Sequence, residues 1–349
     1  MRAWWSAIGR SRGHGHRPMG GQGGASRTAV LVCQGRAVAQ GRFAPGRFDD
    51  PTAAALLRPD ERAVVEEARA GVAPASWGPR LTFEMVSACG EVMAPRTVAI
   101  DDALREALAR PAPAVQLVIL GAGLDGRVWR MPELAGAAVF EVDHPASQRD
   151  KRDRARHLAA AGRRPGAAPG DTSRSGTLPT YVAVDFSRDD LAAALAAAGH
   201  RRALPTAWIW EGVVPYLTRA EVTRTLQVIA DQSAPGSRLI VHYHTPSLSA
   251  MLGRWSAAVV GRLAGVTSPM GREPNRSGWT ARAMRRAVVA RGFEVCQDDS
   301  LLTLAGALAT PIRHRRSLRN GRVLVADDAR SEATGGPAED GQAGDHLGG

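Results

Sequence analysis

Lysine is almost missing from this chain. It has 349 residues and 45 basic side chains, of which Lys151 is the only lysine; arginine supplies the rest. A formal charge of +11 would suit a nucleic-acid partner. The arginines, however, are scattered through Ala-, Gly- and Pro-rich segments, as a GC-rich coding bias would leave them. Aromatics are also scarce, at 5%, and are not interleaved with the arginines in one patch. A surface that stacks bases and grips phosphates needs both together. The expectation is a solvated basic surface with no nucleic-acid partner. Long apolar runs are absent too. None approaches the roughly 18 residues of a membrane-spanning helix, so no membrane partner is expected. The segment MRAWWSAIGRSRGHGHRPMGGQGG has too short an apolar stretch for a secretory signal. Three cysteines, Cys33, Cys89 and Cys296, are odd in number, far apart and not at metal-ligand spacing. That pattern predicts buried free thiols, a cytoplasmic location and no metal centre.

What is present is enough apolar material for a sizeable core: 44% of residues, at a mean hydropathy of −0.19. Composition divides the chain into a disordered extension over 1–25, one folded domain over 26–327 and a disordered tail over 328–349. From Ser26 to about Pro111 apolar residues recur at three- and four-residue spacing. RTAVLVCQGRAVAQ, DPTAAALLRPDERAVVEEARA and RTVAIDDALREALAR are therefore predicted helices of an N-terminal cap, 26–111, with Asp50 an N-cap before Pro51. Beyond it the period changes. VQLVIL (115–120), AAVFEVD (137–143), YVAVDF (181–186), TAWIWEG (206–212) and SRLIVHYH (237–244) look like strands, alternating with helix-like LAAALAAAG (191–199) and RAEVTRTLQVIAD (219–231). Strands alternating with helices imply an α/β fold: a mostly parallel sheet with helices on both faces. Residues 162–179 read as a surface insertion. TARAMRRAVVARG reads as a late helix, and GFEVCQ and RVLVADD as a strand pair closing one sheet edge.

The chemistry gathers after the strands. Gly121, Gly123 and Gly126 spell G-x-G-x-x-G directly after the first strand, where glycine lets the backbone turn tightly and approach a ligand. Both dinucleotide and S-adenosylmethionine (SAM) sites use that pattern, and a tight turn binding nothing would share it. Asp143 ends the second strand 22 residues after Gly121. A carboxylate there accepts from two ribose hydroxyls and disfavours a 2′-phosphate, which counts against NADP and leaves NAD and SAM open. Asp185 with Phe186 could hold an adenine by its amine and its face; the rival role for Asp185 is N-cap of the helix that follows. Glu211, after the apolar WIW, ends a core strand, which in such sheets borders the ligand crevice. It could meet a cationic group such as an α-ammonium, or form a local salt bridge.

These residues together resemble the leucine carboxyl methyltransferase family of SAM-dependent O-methyltransferases, including its bacterial, polyketide-modifying branch. The resemblance runs from about Arg27 to Asp327 on RTAVLV, FDDPTAAALL, RTVAIDDAL, VILGAGLDGRVWR, FEVDHP, VDF, WEGVVPYLT and the final GFEV. It implies a class I, Rossmann-like methyltransferase fold, with a SAM-binding core over 112–245, an acceptor lid over 246–280 and a C-terminal helix and strands over 281–327. It implies SAM as cofactor. Arg96 would clamp the methionine carboxylate with its planar guanidinium. Gly121 and Gly123 would back the methionine portion, Asp143 hold the ribose, Asp185 and Phe186 frame the adenine, and Glu211 sit near the amino end. Arg27 stands nearest to an N-terminal basic residue that helps bind SAM in some relatives. Two features depart from the pattern: Gly126 stands where Thr is common, and the 162–179 stretch lengthens the connection before Asp185.

The methyl of SAM is already activated, so the protein's work is to align an acceptor oxygen at about 3 Å behind it. A carboxylate acceptor is ionised and needs no base; a phenol or alcohol does. His242 and His244, on one strand face, are the candidate bases, and at least one could be a plain strand-end residue. Trp255, Met270 and Trp279 of the 246–279 segment would suit a flat small-molecule acceptor, such as a polyketide-like one. The rival functions are a protein C-terminal carboxyl methyltransferase, an NAD-dependent oxidoreductase, and a non-enzymatic binder with a degenerate SAM site.

Overall fold

A computed structural model describes residues 26–161, 178–186, 188–246, 277–310 and 312–330. Four helices come first: α1 (Arg27–Ala39), α2 (Thr52–Ala55), α3 (Pro59–Ala70) and α4 (Trp77–Leu108). The Asp50 carboxylate accepts from the Ala53 amide at 3.1 Å and the Thr52 hydroxyl at 2.6 Å, which is the capping role expected of it. α4 is far longer than the sequence pattern suggests, because it runs straight through Pro95. A mid-helix proline removes one backbone bond and usually breaks the helix. Here both sides of it are buried, with Met93, Ala94, Val98 and Ile100 all enclosed, so packing outweighs the local preference.

The sheet has seven strands in the order β3-β2-β1-β4-β5-β7-β6. β1 (Gln116–Leu120), β2 (Ala138–Asp143), β3 (Thr180–Ala183), β4 (Thr206–Trp210) and β5 (Arg238–His244) are parallel. β6 (Phe293–Ser300) and β7 (Gly321–Asp328) form the expected antiparallel pair, and β7 inserts beside β5 so that β6 is the edge. Central strands β1 and β4 are buried at every residue, as parallel strands covered on both faces must be. One face packs Val118, Leu120, Trp208, Trp210, Leu239 and Val241 against later helices. The other packs Leu117, Ile119, Ile209 and Ile240 against α4. This is the Rossmann-like α/β architecture of the class I type. Its order reverses at β1, which has β2 on one side and β4 on the other; a ligand crevice opens at such a switch point, outside the carboxyl ends of the strands.

Between strands lie α5 (Arg127–Arg130), α6 (Pro145–Ala161), α7 (Leu191–Ala197), α8 (Arg219–Asp231), α9 (Ala281–Val289), α10 (Leu301–Ala307) and α11 (Arg315–Asn320). α6 has no apolar stripe to announce it. Its charges pair along the helix instead, Arg154 with Asp150 at 2.6 Å and Arg156 with Asp153 at 2.7 Å. Cys33 is buried, but Cys296 is exposed on the edge strand, which corrects the expectation of three buried thiols. Most of the 162–179 insertion and most of the 246–280 segment, including Trp255 and Met270, lie outside the described residues, as do 1–25 and nearly all of the tail. Among the described residues no helix is long and apolar enough to cross a membrane.

Candidate cofactor site

Sheet register brings the predicted residues into one row. Leu120 of β1 stands opposite Val142 of β2 and Trp210 of β4. The residues that follow these three, Gly121, Asp143 and Glu211, therefore line the carboxyl edge at the switch point. Asp143 is paired with Ala183, so Asp185 projects two residues past the same edge on β3. α4 crosses one side and contributes Arg96, buried to 4% exposure.

The turn after β1 is shaped for close approach, but not for a phosphate. Gly121 (φ 70°) and Gly123 (φ 50°) are left-handed, and a Cβ on Gly121 would stand 2.2 Å from Val213 Cγ2. The amides of Gly121 and Ala122 both donate to Val142 O, at 2.8 and 3.1 Å, and that of Gly123 donates to Asp143 Oδ2 at 2.6 Å. The Asp125 amide turns back to Ala122 O at 2.9 Å. A dinucleotide site needs such amides, and the first turn of the next helix, aimed at a pyrophosphate. Here four of those amides, at Gly121, Ala122, Gly123 and Asp125, are spent internally, and α5, only four residues long, begins six residues after Gly121. Gly126 has its own reason to be glycine. A Cβ there would lie 1.9 Å from Thr52 Oγ1, so the Thr52 hydroxyl occupies the space a threonine at 126 would need.

Arg96 and Glu211 meet across the row. Arg96 Nη2 lies 2.8 Å from Glu211 Oε1, yet Arg96 Nε, Arg96 Nη2 and Glu211 Oε1 have no partner in hydrogen-bond geometry among the described residues. Glu211 Oε2 lies 3.0 Å from Arg127 Nη1. Burial works against ionisation of Glu211, but Arg96, Arg127 and Arg36 outweigh it and hold its pKa at about 2. Behind this pair a chain of buried charges continues into the cap. Arg127 binds Asp125 and also Asp101 at 2.8 Å; Asp101 meets Arg130 at 2.7 Å; Arg36 reaches Asp50 at 3.2 Å and Leu124 O at 2.5 Å. Sequence reasoning missed Arg36, Asp50 in this role, Asp101 and Arg130. Asp125, Arg127 and Arg130 sat inside VILGAGLDGRVWR, Asp101 inside RTVAIDDAL and Asp50 inside FDDPTAAALL, but nothing local marked them as partners of one another.

Asp143 is buried. Its Oδ2 accepts from Gly123 N, and its Oδ1 accepts from His144 N at 2.6 Å. Burial raises its pKa, and these amide bonds oppose the rise. Ser147 also hydrogen-bonds this carboxylate, which still keeps acceptor capacity for a hydroxyl. Asp185 is not the cap of α7; Asp190 is, accepting from Ala192 N and Ala193 N at 2.9 and 3.1 Å. That removes the rival role for Asp185. Phe186 lies partly buried against the core. Arg27 opens α1 and is exposed, while Ala29, two residues on, lies 3.1 Å from where a Cβ on Gly123 would stand.

His242 and His244 do share a strand face, with rings 4.9 Å apart. Burial drives the His242 pKa well down, aided by Arg96 and His244, and neither ring nitrogen has a partner among the described residues. Burial and then Arg96 lower His244 to about 4. Trp279, expected at the acceptor, instead packs in the sheet core; its ring carries Arg219 at 4.9 Å and its Nε1 donates to Ser277 Oγ at 3.2 Å.

Comparison with known proteins gives this arrangement a family. The leucine carboxyl methyltransferase family model matches residues 29–230, more than half of the chain. A protein of Mycobacterium sp. (strain JLS), provisionally named an S-adenosyl-L-methionine-dependent methyltransferase, is 37% identical over 217 residues, covering 61% of this chain and 65% of that one. A relative with the same provisional name from Mycolicibacterium vanbaalenii is 38% identical over 225 residues, covering 61% and 66%. The chain thus spans just under two thirds of the length of these curated relatives. A solved structure of a DUF574 family protein from Streptomyces avermitilis aligns at 15% identity with a TM-score of 0.47, over 87% of this chain and 98% of that one. By the match over 29–230, which takes in the cap, the Gly-rich turn, Asp143 and Glu211, the chain belongs to the leucine carboxyl methyltransferase family.

Proposed function

We propose that the protein is a SAM-dependent O-methyltransferase acting on a carboxylate or hydroxyl oxygen of a small molecule, with a polyketide-like natural product as a fitting acceptor. The observation that carries the reading is the buried Arg96–Glu211 pair beside a turn in which the amides of Gly121, Ala122, Gly123 and Asp125 are already used. A ligand with an amino-acid end brings one anion and one cation, and this crevice offers one of each, both short of hydrogen bonds. A pyrophosphate brings two negative charges and would face Asp125, Asp143 and Glu211 beside a turn with four of its amides already bonded. NAD is therefore the poorer fit.

SAM, when bound, supplies a methyl already activated on a sulfonium. The chain's residues supply position. In this reading Arg96 receives the carboxylate, Glu211 the ammonium, Asp143 the ribose hydroxyls, Asp185 and Phe186 the adenine. Gly121 and Gly123 let backbone, not side chain, face the methionine portion. The charges that hold Arg96 and Glu211 are preorganised, so alignment costs little rearrangement. As proton acceptors His242 and His244 are weak, because a base matched to neutral pH should titrate near it and His244 sits near 4. An acceptor that arrives ionised suits them best, and their service is then orientation.

The test is calorimetry with S-adenosylhomocysteine, expected to titrate one site per chain without competition from NADH. A well-folded protein that binds none of it sinks the proposal. Transfer of labelled methyl from SAM to a panel of small carboxylates, phenols and peptide C-termini then separates the acceptors. Labelling confined to peptide C-termini would move the substrate class to protein.

A further inference from the structure

Arg127 has no role in the ligand contacts set out above, yet it is completely enclosed. Three carboxylates from three parts of the fold surround it. Its Nε lies 2.8 Å from Asp101 of α4, and its Nη1 pairs with Asp125 of the turn and lies 3.0 Å from Glu211 Oε2. Its own amide donates to Asp125 Oδ1 at 2.8 Å. Main chain and side chain are thus both anchored, the side chain through Nε and Nη1, while Nη2 has no hydrogen-bond partner among the described residues.

Glu211 therefore has a fixed cation on one oxygen and the exchangeable Arg96 on the other. The charged groups facing it are Arg96 from α4, Arg127 at the start of α5, Arg36 from α1 and Asp125 from the turn after β1. Arg36 is committed to Asp50 and Leu124 O. When Arg96 turns its donors to a ligand carboxylate, its charge is shared, and a carboxylate this buried would drift toward its neutral form without another partner. A neutral Glu211 cannot attract an ammonium.

We infer that Arg127 is the positioning residue for ammonium recognition: from Oε2 it keeps Glu211 aimed and ionised, so that Oε1 can exchange Arg96 for the ligand's α-ammonium. This rests on the methyltransferase reading above, and the experiment separates the two. S-adenosylhomocysteine carries the amino-acid end; 5′-methylthioadenosine keeps the adenine and ribose and lacks it. Calorimetry between pH 5.5 and 7.5 gives both affinities for wild type and for Arg127→Met. In wild type the ratio of the two is flat across this range. In the variant, S-adenosylhomocysteine binds about tenfold more weakly at pH 7.5, the size of one lost charged contact. It weakens further toward pH 5.5, while 5′-methylthioadenosine stays within about twofold. Equal loss for both ligands, or a loss independent of pH, overturns the inference. If Arg127→Met does not fold, Glu211→Gln is compared with Arg127→Met/Glu211→Gln, which removes one charge of each sign and keeps the cluster balanced. These two should bind S-adenosylhomocysteine alike at every pH; further loss in the double variant overturns the role through Glu211. Wild type that binds neither ligand overturns the methyltransferase reading itself, whereas wild type that binds both leaves it standing whatever Arg127 does.

Discussion

Two glutamates on neighbouring parts of one sheet have opposite acid–base character. Glu141, within β2, is 1% exposed and faces a single cation, Lys151 of α6, at 2.6 Å. Burial lifts its pKa to about 7, and Lys151 offsets only part of the rise while Asp125 and Asp143 add to it. Glu211, past the end of β4, is also desolvated, but three arginines hold it at about 2. The difference is in the count and sharing of counter-charges, not in depth. In a weakly polarisable interior a lone cation offsets only part of the cost of burial, whereas a cluster exceeds it. The same difference separates roles. The Lys151–Glu141 pair lies inside the fold, with Lys151 Nζ 5.5 Å from the Trp129 ring centre, and pins α6 to the sheet. The Glu211 cluster stands instead at the carboxyl edge of the sheet; hydrogen bonds left unmade are common to both, since Glu141 Oε1 and Oε2 and Lys151 Nζ also lack a partner among the described residues.

The most severe break of this comparison is Arg96→Ala. On the proposed reading it removes two charged contacts to a ligand carboxylate, worth about 1.5–3 kcal/mol each. Calorimetry should therefore show S-adenosylhomocysteine affinity reduced at least about a hundredfold. 5′-Methylthioadenosine should be nearly unaffected; loss of both alike would erase the distinction between crevice and interior.

Lys151→Met tests the other cluster. Leaving Glu141 buried and unpaired should cost about 3–5 kcal/mol of unfolding free energy at pH 8 in urea denaturation. Glu141 in the folded state titrates above its ordinary 4.5, so the folded form gains stability as pH falls from about 7 toward 4.5. Part of the loss should therefore return at pH 5.5, and Glu141→Gln should restore more. Glu211 titrates below its ordinary 4.5, so its contribution is present above that value and is lost as pH falls toward 2. Arg127→Met removes one of the charges that hold Glu211 low, so the Glu211 pKa rises in the variant, and part of its lost stability should return as pH falls from 8 to 5.5. Wild-type Glu211 should show no such gain in that range; absence of recovery in either variant would contradict the assigned directions.

Asp143→Ala should weaken S-adenosylhomocysteine about tenfold or more, the value of one or two hydrogen bonds to a charged acceptor. Circular dichroism must show the fold intact, since Gly123 N also loses its acceptor. Unchanged affinity would move the ribose elsewhere. The smallest effect is expected from replacing both His242 and His244 with Gln. On a carboxylate acceptor kcat should stay within a few-fold of wild type. A fall of roughly 10²–10⁴-fold on a phenol would reveal a true general base.

Much of the fold was legible because strands and amphipathic helices announce themselves by period. β1 to β5, α1, α8 and the final strand pair all coincide with apolar patterns. α6 did not, since it is charged all round and its only punctuation is Pro145. Nor did the first half of α4, where Pro95 argues locally for a break. The row Gly121, Asp143, Glu211 was legible as motifs, since each residue ends a recognisable strand. The charge cluster behind it was not. Arg36, Asp50, Asp101 and Arg130 come from separate segments, and an arginine in a chain with 44 of them carries no mark of burial.

By itself, then, the sequence determined the order of strands and helices, the turn after β1 and the acids at strand ends, because those follow from periodicity and from what glycine and carboxylate can do locally. Only the tertiary structure decided which charges meet. It set Arg96 against Glu211, closed Arg127 inside three carboxylates, turned the amides after β1 inward, and buried the one lysine against Glu141. Electrostatic energy depends on distance and on exclusion of water, and neither exists until the chain has folded.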